Sequence, residues 1–384
     1  MPSDVLALLR AAGPLTRTAV MTRTGLSRST VNQRLDALLR ARLVVPAGEE
    51  SGTRGRPASQ FAFNHDRGVL LVTDIGASGL RAALTDRAGD VRVERTAVVD
   101  VAEGPVAVLG IVSGYFAEML AETGCSPRDV HGIGLDVPGP VDFATGRVIS
   151  PPIMSGWDGY DIPGWFRPGF DCPVLVENDV NAMALGEQRT VHPDIDSLLV
   201  IKIGTGVGAG IISGGRVYRG ADGAAGDIGH VQIAVPGETA PPLCRCGNAG
   251  CVEARVGGWA LIRDLRAAGH NPADVDDVVG LIRRGDRTAV ALVRQAGRLL
   301  GRAIADAVSL LNPRVVVLGG QLAAAEEQLM AGVREMVYSR SLPLATSRLE
   351  ITRSTLGQRA AVIGTALLLA DLVLAPERVD GVLL

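Results

Sequence analysis

The sequence predicts a multidomain α+β protein, in which a small winged helix-turn-helix unit precedes a larger α/β body with two lobes around a cleft. Three observations predict this fold class: a short basic segment at the start, a helix-turn-helix pattern within it, and a glycine-bearing hairpin that occurs twice in the body. The 384 residues and 47% apolar composition suffice for two or three domains, each with its own core.

The net charge of −3 is unevenly distributed along the chain. Residues 1–65 contain nine arginines against four acidic residues, a balance of +5 that leaves −8 for the remainder. Such an asymmetry is typical of an anion-binding module joined to an acidic body. A solvated charged face is the alternative interpretation of the charge alone.

Three helices are predicted in the basic segment. The first covers 3–12 and ends at Gly13-Pro14, the second covers 16–24, and the third begins after Ser27 as N-cap and reaches about residue 41. Apolar residues of the third helix share one face, which leaves polar side chains exposed near its N-terminal end. Two helices around a glycine-containing turn form a helix-turn-helix, whose exposed groups read base edges in a major groove. The candidate base-reading residues are Arg28, Ser29, Thr30, Asn32 and Gln33.

Segments 43–45 and 60–63 are predicted strands, and the segment between them contains Arg54-Gly55-Arg56-Pro57. This arrangement predicts a wing with Arg54 and Arg56 at its tip, narrow enough to enter an A·T-rich minor groove. A basic hairpin that touches only phosphates is the alternative. Under either interpretation the partner is a double-stranded DNA operator.

The body begins near Gly68, and its sequence contains an internal repeat. Residues 71–84, LVTDIGASGLRAAL, and 199–212, LVIKIGTGVGAGII, both predict a strand, a glycine-bearing turn and a second strand. The repeat predicts two lobes around a cleft, and backbone N–H groups in such turns bind phosphate oxygens. Glycines required only by the sterics of tight turns are the alternative.

Three of the five cysteines, Cys244, Cys246 and Cys251, lie in a C-x-C-x4-C pattern, and His230 precedes them by 14 residues. Three thiolates and one imidazole fill the tetrahedral shell of a structural zinc ion. In a cytoplasmic protein, metal binding by such a cluster is favoured over disulfides. The other two cysteines lack such neighbours and are interpreted as small buried residues.

Six motifs of the body resemble the ROK family, which groups bacterial sugar kinases with sugar-responsive transcriptional repressors. The motifs are 71–84, VPGPVD (137–142), VENDVNAMALGE (176–187), IGTGVGAGII (203–212), GAAGDIGH (223–230) and CRCGNAGCVE (244–253). The resemblance covers about 68–384 and implies an actin-like, hexokinase-type (ribonuclease H-like) α/β ATPase fold. Only the regulator branch of the family carries an N-terminal winged helix.

This resemblance divides the chain into three predicted domains. Residues 1–66 form the DNA-binding domain, 67–192 the first lobe, and 193–384 the second lobe with the zinc loop. Whether the C-terminal helix returns to the first lobe is left open.

The resemblance also implies a sugar in the cleft between the lobes. Asn178 and Asp179 match the family's Asn-Asp pair, whose aspartate is the general base in the kinases. His230 resembles the histidine that binds zinc with one ring nitrogen and the sugar with the other, and Glu253 the glutamate that accepts sugar hydroxyls. Asp227 stands where the family usually has Glu, so the sugar hydroxyls within reach differ. Taken alone, Asn178 would be interpreted as a strand-end turn residue and Glu253 as an acid at a helix start.

The phosphate-binding hairpins decide whether the resemblance extends to kinase activity. The kinases usually carry Asp-Ile-Gly-Gly-Thr-Lys in the first hairpin, whereas this chain keeps Asp74 and Gly76, has Ser78, and loses the second glycine and the lysine. Loss of a charged hydrogen bond to a transferring phosphoryl group costs on the order of 2–4 kcal/mol of transition-state stabilisation. We therefore expect a weak or vestigial nucleotide site, no catalysis, and no requirement for ATP and Mg²⁺. The phosphate contacts that are kept are Asp74, Gly76, Gly204, Thr205 and Gly206.

The sequence as a whole predicts a cytoplasmic, sugar-responsive regulator, most simply a repressor, that forms a homodimer or homotetramer. One alternative is an ATP-dependent sugar kinase with an added DNA-binding domain, in which Asp179 is catalytic. Another is a regulator that responds to a phosphorylated sugar or to a partner protein. No signal peptide or membrane span is predicted, since the apolar tract at 361–375 is short and interrupted. Lysine is nearly absent from the chain, with Lys202 the only one, which fits a GC-rich coding bias and needs no functional interpretation.

Overall fold

The N-terminal unit of the computed structural model, which describes residues 1–50, 58–325 and 327–383, contains three helices and a small antiparallel sheet. The predicted winged helix-turn-helix is thereby confirmed. Arg54 and Arg56, the predicted wing-tip residues, lie outside the described residues. The elements are α1 (Pro2–Ala12), β1 (Leu15–Thr16), α2 (Arg17–Thr24), α3 (Arg28–Arg40), β2 (Val44–Glu50) and β3 (Ala58–Phe63).

Side-chain caps fix where α2 and α3 begin. The Thr16 side chain accepts a hydrogen bond from the Ala19 N–H, and the Ser27 side chain accepts one from the Thr30 N–H at 3.2 Å. Such caps satisfy N–H groups that have no partner inside the helix. Gly25 ends α2 with a φ of 68°, in the left-handed region that glycine tolerates. The predicted N-cap at Ser27 and the glycine turn before it are confirmed.

Strand β1 is not predicted by the sequence pattern. Its two residues lie between α1 and α2 and pair antiparallel with β3, opposite Phe61 and Gln60. Two residues are too few to show the alternation by which strands are predicted. The strand order β1-β3-β2 makes β3 the central strand of the wing sheet.

The first lobe is a five-stranded sheet with two helices and a two-stranded ribbon: β4 (Val69–Ile75), β5 (Leu80–Thr85), β6 (Val91–Ala97), α4 (Pro105–Thr123), β7 (Val130–Val137), β8 (Val141–Asp142), β9 (Arg147–Val148), α5 (Ile162–Phe166) and β10 (Val174–Asn178). The strand order is β10-β7-β4-β5-β6. Strands β4, β7 and β10 are parallel, whereas β5 and β6 run antiparallel to their neighbours. The first predicted glycine hairpin is the β4–β5 connection.

The helix α6 (Asp179–Thr190) leads from the first sheet to a second five-stranded sheet. The remaining elements are β11 (Ser197–Ile203), β12 (Val207–Ser213), β13 (Arg216–Val217), α7 (Glu253–Val256), α8 (Gly258–Ala267), α9 (Val275–Arg283), α10 (Arg287–Leu311), β14 (Val315–Gly319), α11 (Glu327–Arg340), α12 (Pro343–Thr346), β15 (Glu350–Arg353), α13 (Ala360–Val373) and α14 (Pro376–Leu383).

The second sheet, which we assign to the second lobe, repeats the topology of the first. Its order is β13-β12-β11-β14-β15, and β11, β14 and β15 are parallel while β12 and β13 are antiparallel. In both sheets the first strand is central, its hairpin partner lies on one side, and two later parallel strands lie on the other. The internal repeat in the sequence therefore reflects a structural duplication. The residue boundaries of the domains stay predictions.

Helices α6 and α13 pack against each other between the two sheets, α13 on β4 and β7 and α6 on β11 and β12. The helix backbones approach closely at two glycines. A Cβ on Gly364 would lie 1.7 Å from the Ala182 carbonyl oxygen, and one on Gly186 would lie 2.2 Å from the Ala360 carbonyl oxygen. No larger residue fits at either position without moving a backbone.

Polar contacts join the N-terminal unit to the body. Arg10 Nη2 donates to Asp371 Oδ1 at 3.0 Å, and Arg189 near the end of α6 donates to the other oxygen of Asp371 at 3.2 Å. The Ser3 backbone N–H and hydroxyl both donate to Asp380. Asp371 on α13 thus contacts both the DNA-binding unit and α6.

Within the described ranges, one helix, α4, is long and apolar enough to cross a membrane by length and composition, and about a third of that stretch is buried. Its buried residues, among them Val108, Val112 and Phe116, belong to the core beside the first sheet. Packing against a sheet accounts for this apolar face without a membrane.

Candidate functional site

A cleft of about 890 Å³ lies between the two sheets, at the ends of their central strands. Its lining includes the glycine hairpins of both sheets, the start of α6, and two of the metal-ligand candidates, His230 and Cys246. The functional roles predicted for these residues stay predictions, but their predicted proximity is observed. The predicted sugar and phosphate contacts that line the cleft are Asn178, Asp179, Asp227, His230, Glu253, Asp74, Gly76, Gly204, Thr205 and Gly206.

Asn178 closes β10 and is the N-cap of α6. Its Oδ1 accepts hydrogen bonds from the N–H groups of Val180 and Asn181, at 3.0 and 3.2 Å, and its Nδ2 donates to the Gly139 carbonyl at 3.1 Å. The Asn178 side chain therefore holds the end of β10 in place, which agrees with its interpretation as a strand-end turn residue. The amide nitrogen retains one further hydrogen for a ligand.

Asp179 is paired with the only lysine of the chain. Lys202 Nζ donates to Asp179 Oδ2 at 2.6 Å, and the two side chains are 25% and 6% exposed. Burial disfavours the Lys202 ammonium, but the carboxylates of Asp179 and Asp74 outweigh burial and raise the pKa of Lys202. The lysine is therefore charged. No contact is predicted for this lysine from the sequence, and the structure places it in an ion pair at the cleft.

The repeat in the sequence contains a signal for Lys202. When the two hairpin segments are superimposed, LVTDIGASG and LVIKIGTGV place Lys202 at the position of Asp74. Because the two units have the same topology, these side chains occupy equivalent places on the two central strands. A lysine opposite an aspartate across a duplicated cleft predicts a charge contact there.

Asp74 has an acidic neighbour on the adjacent strand of the first sheet. Asp136 on β7 lies opposite Asp74 in the register of the two parallel strands. Burial, and then the Asp74 charge, raise the pKa of Asp136 well above its usual range, while Thr365 Oγ1 donates to Asp136 Oδ2 at 2.6 Å. The Oδ1 atoms of both aspartates are buried without a donor. A single proton held between the two carboxyl groups would supply the donor that both atoms lack.

Four candidate metal ligands converge at the edge of the cleft. The sulfur atoms of Cys244, Cys246 and Cys251 and a ring nitrogen of His230 all lie within 4.8 Å of one another. The Cys246 and Cys251 sulfurs are 3.8 Å apart, and Cys244 Sγ is 3.7 Å from His230 Nδ1. Zinc–sulfur bonds of about 2.3 Å in tetrahedral geometry place two sulfurs about 3.8 Å apart. The group has the composition and spacing of a metal site.

The ligand loop turns at two glycines. Gly247 has a φ of 91° and Gly250 one of 79°, so both lie in the left-handed region, and they bring Cys251 back towards Cys244 and Cys246. The tight turns predicted at these glycines are observed.

His230 presents its two ring nitrogens to different surroundings. Nδ1 faces the cysteines, whereas Nε2 lies 3.9 Å from the exposed carboxylate of Asp227. Glu253 begins α7 and is engaged on both oxygens, which accept hydrogen bonds from the Val207 N–H at 3.2 Å and from Trp259 Nε1 at 3.3 Å. Of these acids Asp227 is the more accessible to a ligand.

Beside the cleft, an ion pair connects the two lobes. The sequence does not predict this contact. Glu177 on β10 is 2% exposed, and Arg219, which follows β13, donates to its Oε2 from Nε at 2.8 Å and Nη2 at 2.5 Å. The Arg219 guanidinium also lies 3.8 Å from the centre of the Phe143 ring in the first lobe. Asn181 donates to the other carboxylate oxygen of Glu177 at 3.0 Å. We call Arg219, Glu177 and Phe143 the interlobe clasp.

The predicted base-reading residues lie on the first turns of α3. Arg28, Ser29 and Gln33 are exposed, whereas Thr30 and Asn32 are half-buried. Asn32 Oδ1 accepts a hydrogen bond from Arg17 Nη1 at 2.7 Å, so its acceptor is partly occupied. The exposed residues present donors and acceptors that suit a major groove.

Comparison with known proteins agrees with this architecture. The ROK family profile matches residues 71–371, and a winged helix-turn-helix DNA-binding profile matches residues 3–45. The xylose repressor of Bacillus subtilis is 27% identical over 359 residues, which cover 93% of this chain and 91% of that protein.

Two further similarities span the kinase and regulator branches. The glucokinase of Halalkalibacterium halodurans is 30% identical over 306 residues, which cover 76% of this chain and 92% of that protein. The crystal structure of a ROK family transcriptional regulator, a homologue of the Escherichia coli MLC protein, has a TM-score of 0.82 and 27% identity, covering 100% of this chain and 98% of that one.

The interlobe clasp predicts a charge-dependent loss of stability. Arg219→Met leaves the buried Glu177 carboxylate without its counter-charge, which we expect to lower the free energy of unfolding by about 3–5 kcal/mol. The double variant with Glu177→Gln removes both charges and is expected to lose less than Arg219→Met alone. Urea unfolding of the single and double variants measures both effects.

The exposed pair Arg298–Glu335, whose side chains are 40% and 45% exposed, supplies the control. Arg298→Met should cost no more than about 1 kcal/mol. Equal losses for Arg219→Met and Arg298→Met would contradict the role of the clasp.

Proposed function

The chain belongs to the ROK family, and we propose that it is a sugar-responsive, DNA-binding transcriptional repressor of carbohydrate-metabolism genes. One observation carries the proposal: a winged helix-turn-helix and a two-lobed cleft with the predicted sugar contacts occur in one chain. The similarity to a xylose repressor over nearly the whole length of both proteins supports the same conclusion. A homodimer or homotetramer in the cytoplasm is part of the proposal, since operators with two half-sites are bound by symmetric assemblies.

The proposed effector is a sugar held at the edge of the cleft by residues of both lobes. The exposed carboxylate of Asp227 and His230 Nε2 supply an acceptor and a second polar atom from the second lobe. Asn178 offers its remaining amide hydrogen from the first lobe, and Asp179 and Glu253 border the same space. Multiple hydroxyl groups match such a set of acceptors and donors.

The proposed DNA contacts are of two kinds. Gln33 and Ser29 read base edges from α3 in the major groove, and Arg28 contacts phosphate or guanine. Thr30 and Asn32 support these contacts from half-buried positions. Arg54 and Arg56 are proposed to enter the minor groove, as predicted from the sequence.

The signal is proposed to travel along α6 and α13. Asp179 begins α6, and Arg189 near its other end shares Asp371 with Arg10 of the DNA-binding unit. A ligand that favours one arrangement of the lobes therefore shifts the position of α1 and the winged helix. Ligand and DNA then favour different arrangements, and each weakens the binding of the other.

The kinase alternative rests on the similarity to a glucokinase and on the intact second hairpin, Gly204–Gly206. Its general base would be Asp179, which instead binds the Lys202 ammonium at 2.6 Å. Burial raises the pKa of Asp179, and the Lys202 ammonium offsets only part of that rise. The regulator is favoured because Asp179 Oδ2 is already occupied by the lysine and is not free to accept a substrate proton.

We propose that the Cys-His cluster holds a structural zinc ion through His230, Cys244, Cys246 and Cys251. The four ligand atoms lie close enough together to bind one ion, and the distance between the Cys246 and Cys251 sulfurs fits zinc. Zinc on Nδ1 would orient His230 so that Nε2 points to the sugar beside Asp227.

The function is tested by DNA binding with and without sugars. Double-stranded DNA selected by the protein from a random pool is titrated in the presence of a panel of free and phosphorylated sugars. We expect one sugar to weaken specific binding by roughly 30- to 150-fold, which corresponds to a coupling free energy of about 2–3 kcal/mol. Asp227→Ala should keep DNA binding and weaken the sugar effect at least tenfold.

Two matched variants support the assignment. Asp222→Ala lies in the same loop but outside the cleft lining, so it should keep the response. Gln33→Ala should weaken specific DNA binding by about 1–3 kcal/mol while sugar binding is unchanged. Specific DNA binding that no sugar alters would contradict the proposal.

The zinc proposal predicts one zinc ion per chain in the purified protein, measured by atomic emission. Cys246→Ser should lose the ion and lower the thermal midpoint, because the metal stabilises only the folded loop. Cys125→Ser, remote from the cluster in the first lobe, is the control and should retain one ion. Equal zinc contents in the two variants would contradict the assignment.

A further inference from the structure

Lys202 lies among three carboxyl groups that have no other cation within hydrogen-bond distance in the described parts of the chain. Its ammonium contacts Asp179 directly and feels the charges of Asp74 and Asp136. Asp136 is fully buried, and its Oδ1 and that of Asp74 have no donor. Lys202 is therefore the cation in direct contact with a carboxylate of this group, while Arg81 on the neighbouring strand acts on Asp74 from farther away.

The duplication explains how the lysine reaches this place. Lys202 and Asp74 occupy equivalent positions on the two central strands, and both line the cleft. Each side chain points from its own sheet towards the shared space, so an acid on one sheet is matched by a base on the other. An ion pair across a cleft brings its own neutralising charge to the carboxylates.

Phosphoryl transfer in this fold would require a different arrangement. A divalent cation such as Mg²⁺ binds carboxylate oxygens at about 2.0–2.1 Å and bridges the phosphates. An ammonium already 2.6 Å from Asp179 Oδ2 would lie within a few ångströms of such an ion, where like charges repel strongly in a water-poor site. The contact between Lys202 and Asp179 therefore disfavours a divalent ion bound to this carboxylate.

We propose that Lys202 is a built-in cation that replaces a divalent metal ion among Asp74, Asp136 and Asp179. The cleft then binds its ligand without Mg²⁺, and Asp179 acts as the partner of the lysine rather than as a free base. This proposal rests on the proposed function as a regulator that does not transfer phosphate. In this proposal, Lys202 is the side chain that makes the cleft a sensing site rather than a catalytic one.

The proposal predicts that loss of the lysine creates a metal site. Lys202→Met keeps the length of the side chain and removes its charge, so the buried Asp179 carboxylate lacks a partner. We expect this variant to bind Mn²⁺ at least tenfold more tightly than the wild-type protein, measured by the electron paramagnetic resonance signal of free Mn²⁺. Its thermal midpoint should rise with added MgCl₂, whereas that of the wild-type protein should not.

The double variant Lys202→Met with Asp179→Asn is the matched control. It lacks both charges, so it should fold without added metal and show no gain in Mn²⁺ binding. Equal Mn²⁺ affinities for the wild type and Lys202→Met would overturn the proposal. If Lys202→Met does not fold, the Mn²⁺ titration of the wild-type protein tests the proposal instead. Absence of Mn²⁺ binding supports the proposal. Mn²⁺ binding that is lost in Asp179→Asn overturns it.

These titrations contain neither DNA nor sugar. Failure of the built-in cation therefore leaves the DNA and sugar measurements unaffected, and failure of the regulator proposal leaves the metal titrations unaffected. The two ideas can fail separately.

Discussion

The close packing of α6 against α13 is the constraint on which the rest of the molecule depends. Gly186 and Gly364 let the two helix backbones approach to a distance that any side chain would prevent. The pair lies between the two sheets, with α13 on the first and α6 on the second. The cleft residues at the start of α6 and the DNA-binding unit at Asp371 are thus attached to the same rigid pair. A change in the arrangement of the lobes must move this pair or break its contact.

Local features of the fold follow from the sequence, whereas the contacts that cross the cleft do not. Ser27 caps α3 because a side-chain oxygen satisfies N–H groups at a helix start, and this rule acts within three residues. The two glycine hairpins and the Cys-His cluster are predicted for similar reasons. The Arg219–Glu177 pair joins residues 42 positions apart, one on the first sheet and one in the loop after β13, and only the folded arrangement brings them together. The repeat aligns Lys202 with Asp74, but a charge contact at the cleft follows only once the two central strands are known to face the same cleft.

The proposed role of the cleft in recognition rather than catalysis rests on how its acidic groups are paired. Lys202 occupies Asp179 Oδ2, and burial together with the Asp74 charge raises the pKa of Asp136. The candidate sugar contacts Asp227 and Glu253 line the same space as this group, together with His230 of the metal-ligand cluster. A cleft of this kind retains the shape of a kinase site while its charges are satisfied internally. The relation of this chain to both repressors and glucokinases is consistent with that division of roles.

The central claim is that the cleft and the DNA-binding unit are coupled through Asp371, and sugar affinity measured with and without saturating operator DNA tests it most directly. In the wild-type protein, DNA should weaken sugar binding by the same factor by which the sugar weakens DNA binding. Asp371→Asn weakens the shared contact with Arg10 and Arg189 and should reduce that factor at least fivefold, while each ligand alone binds as before. An unchanged factor in Asp371→Asn would contradict the account.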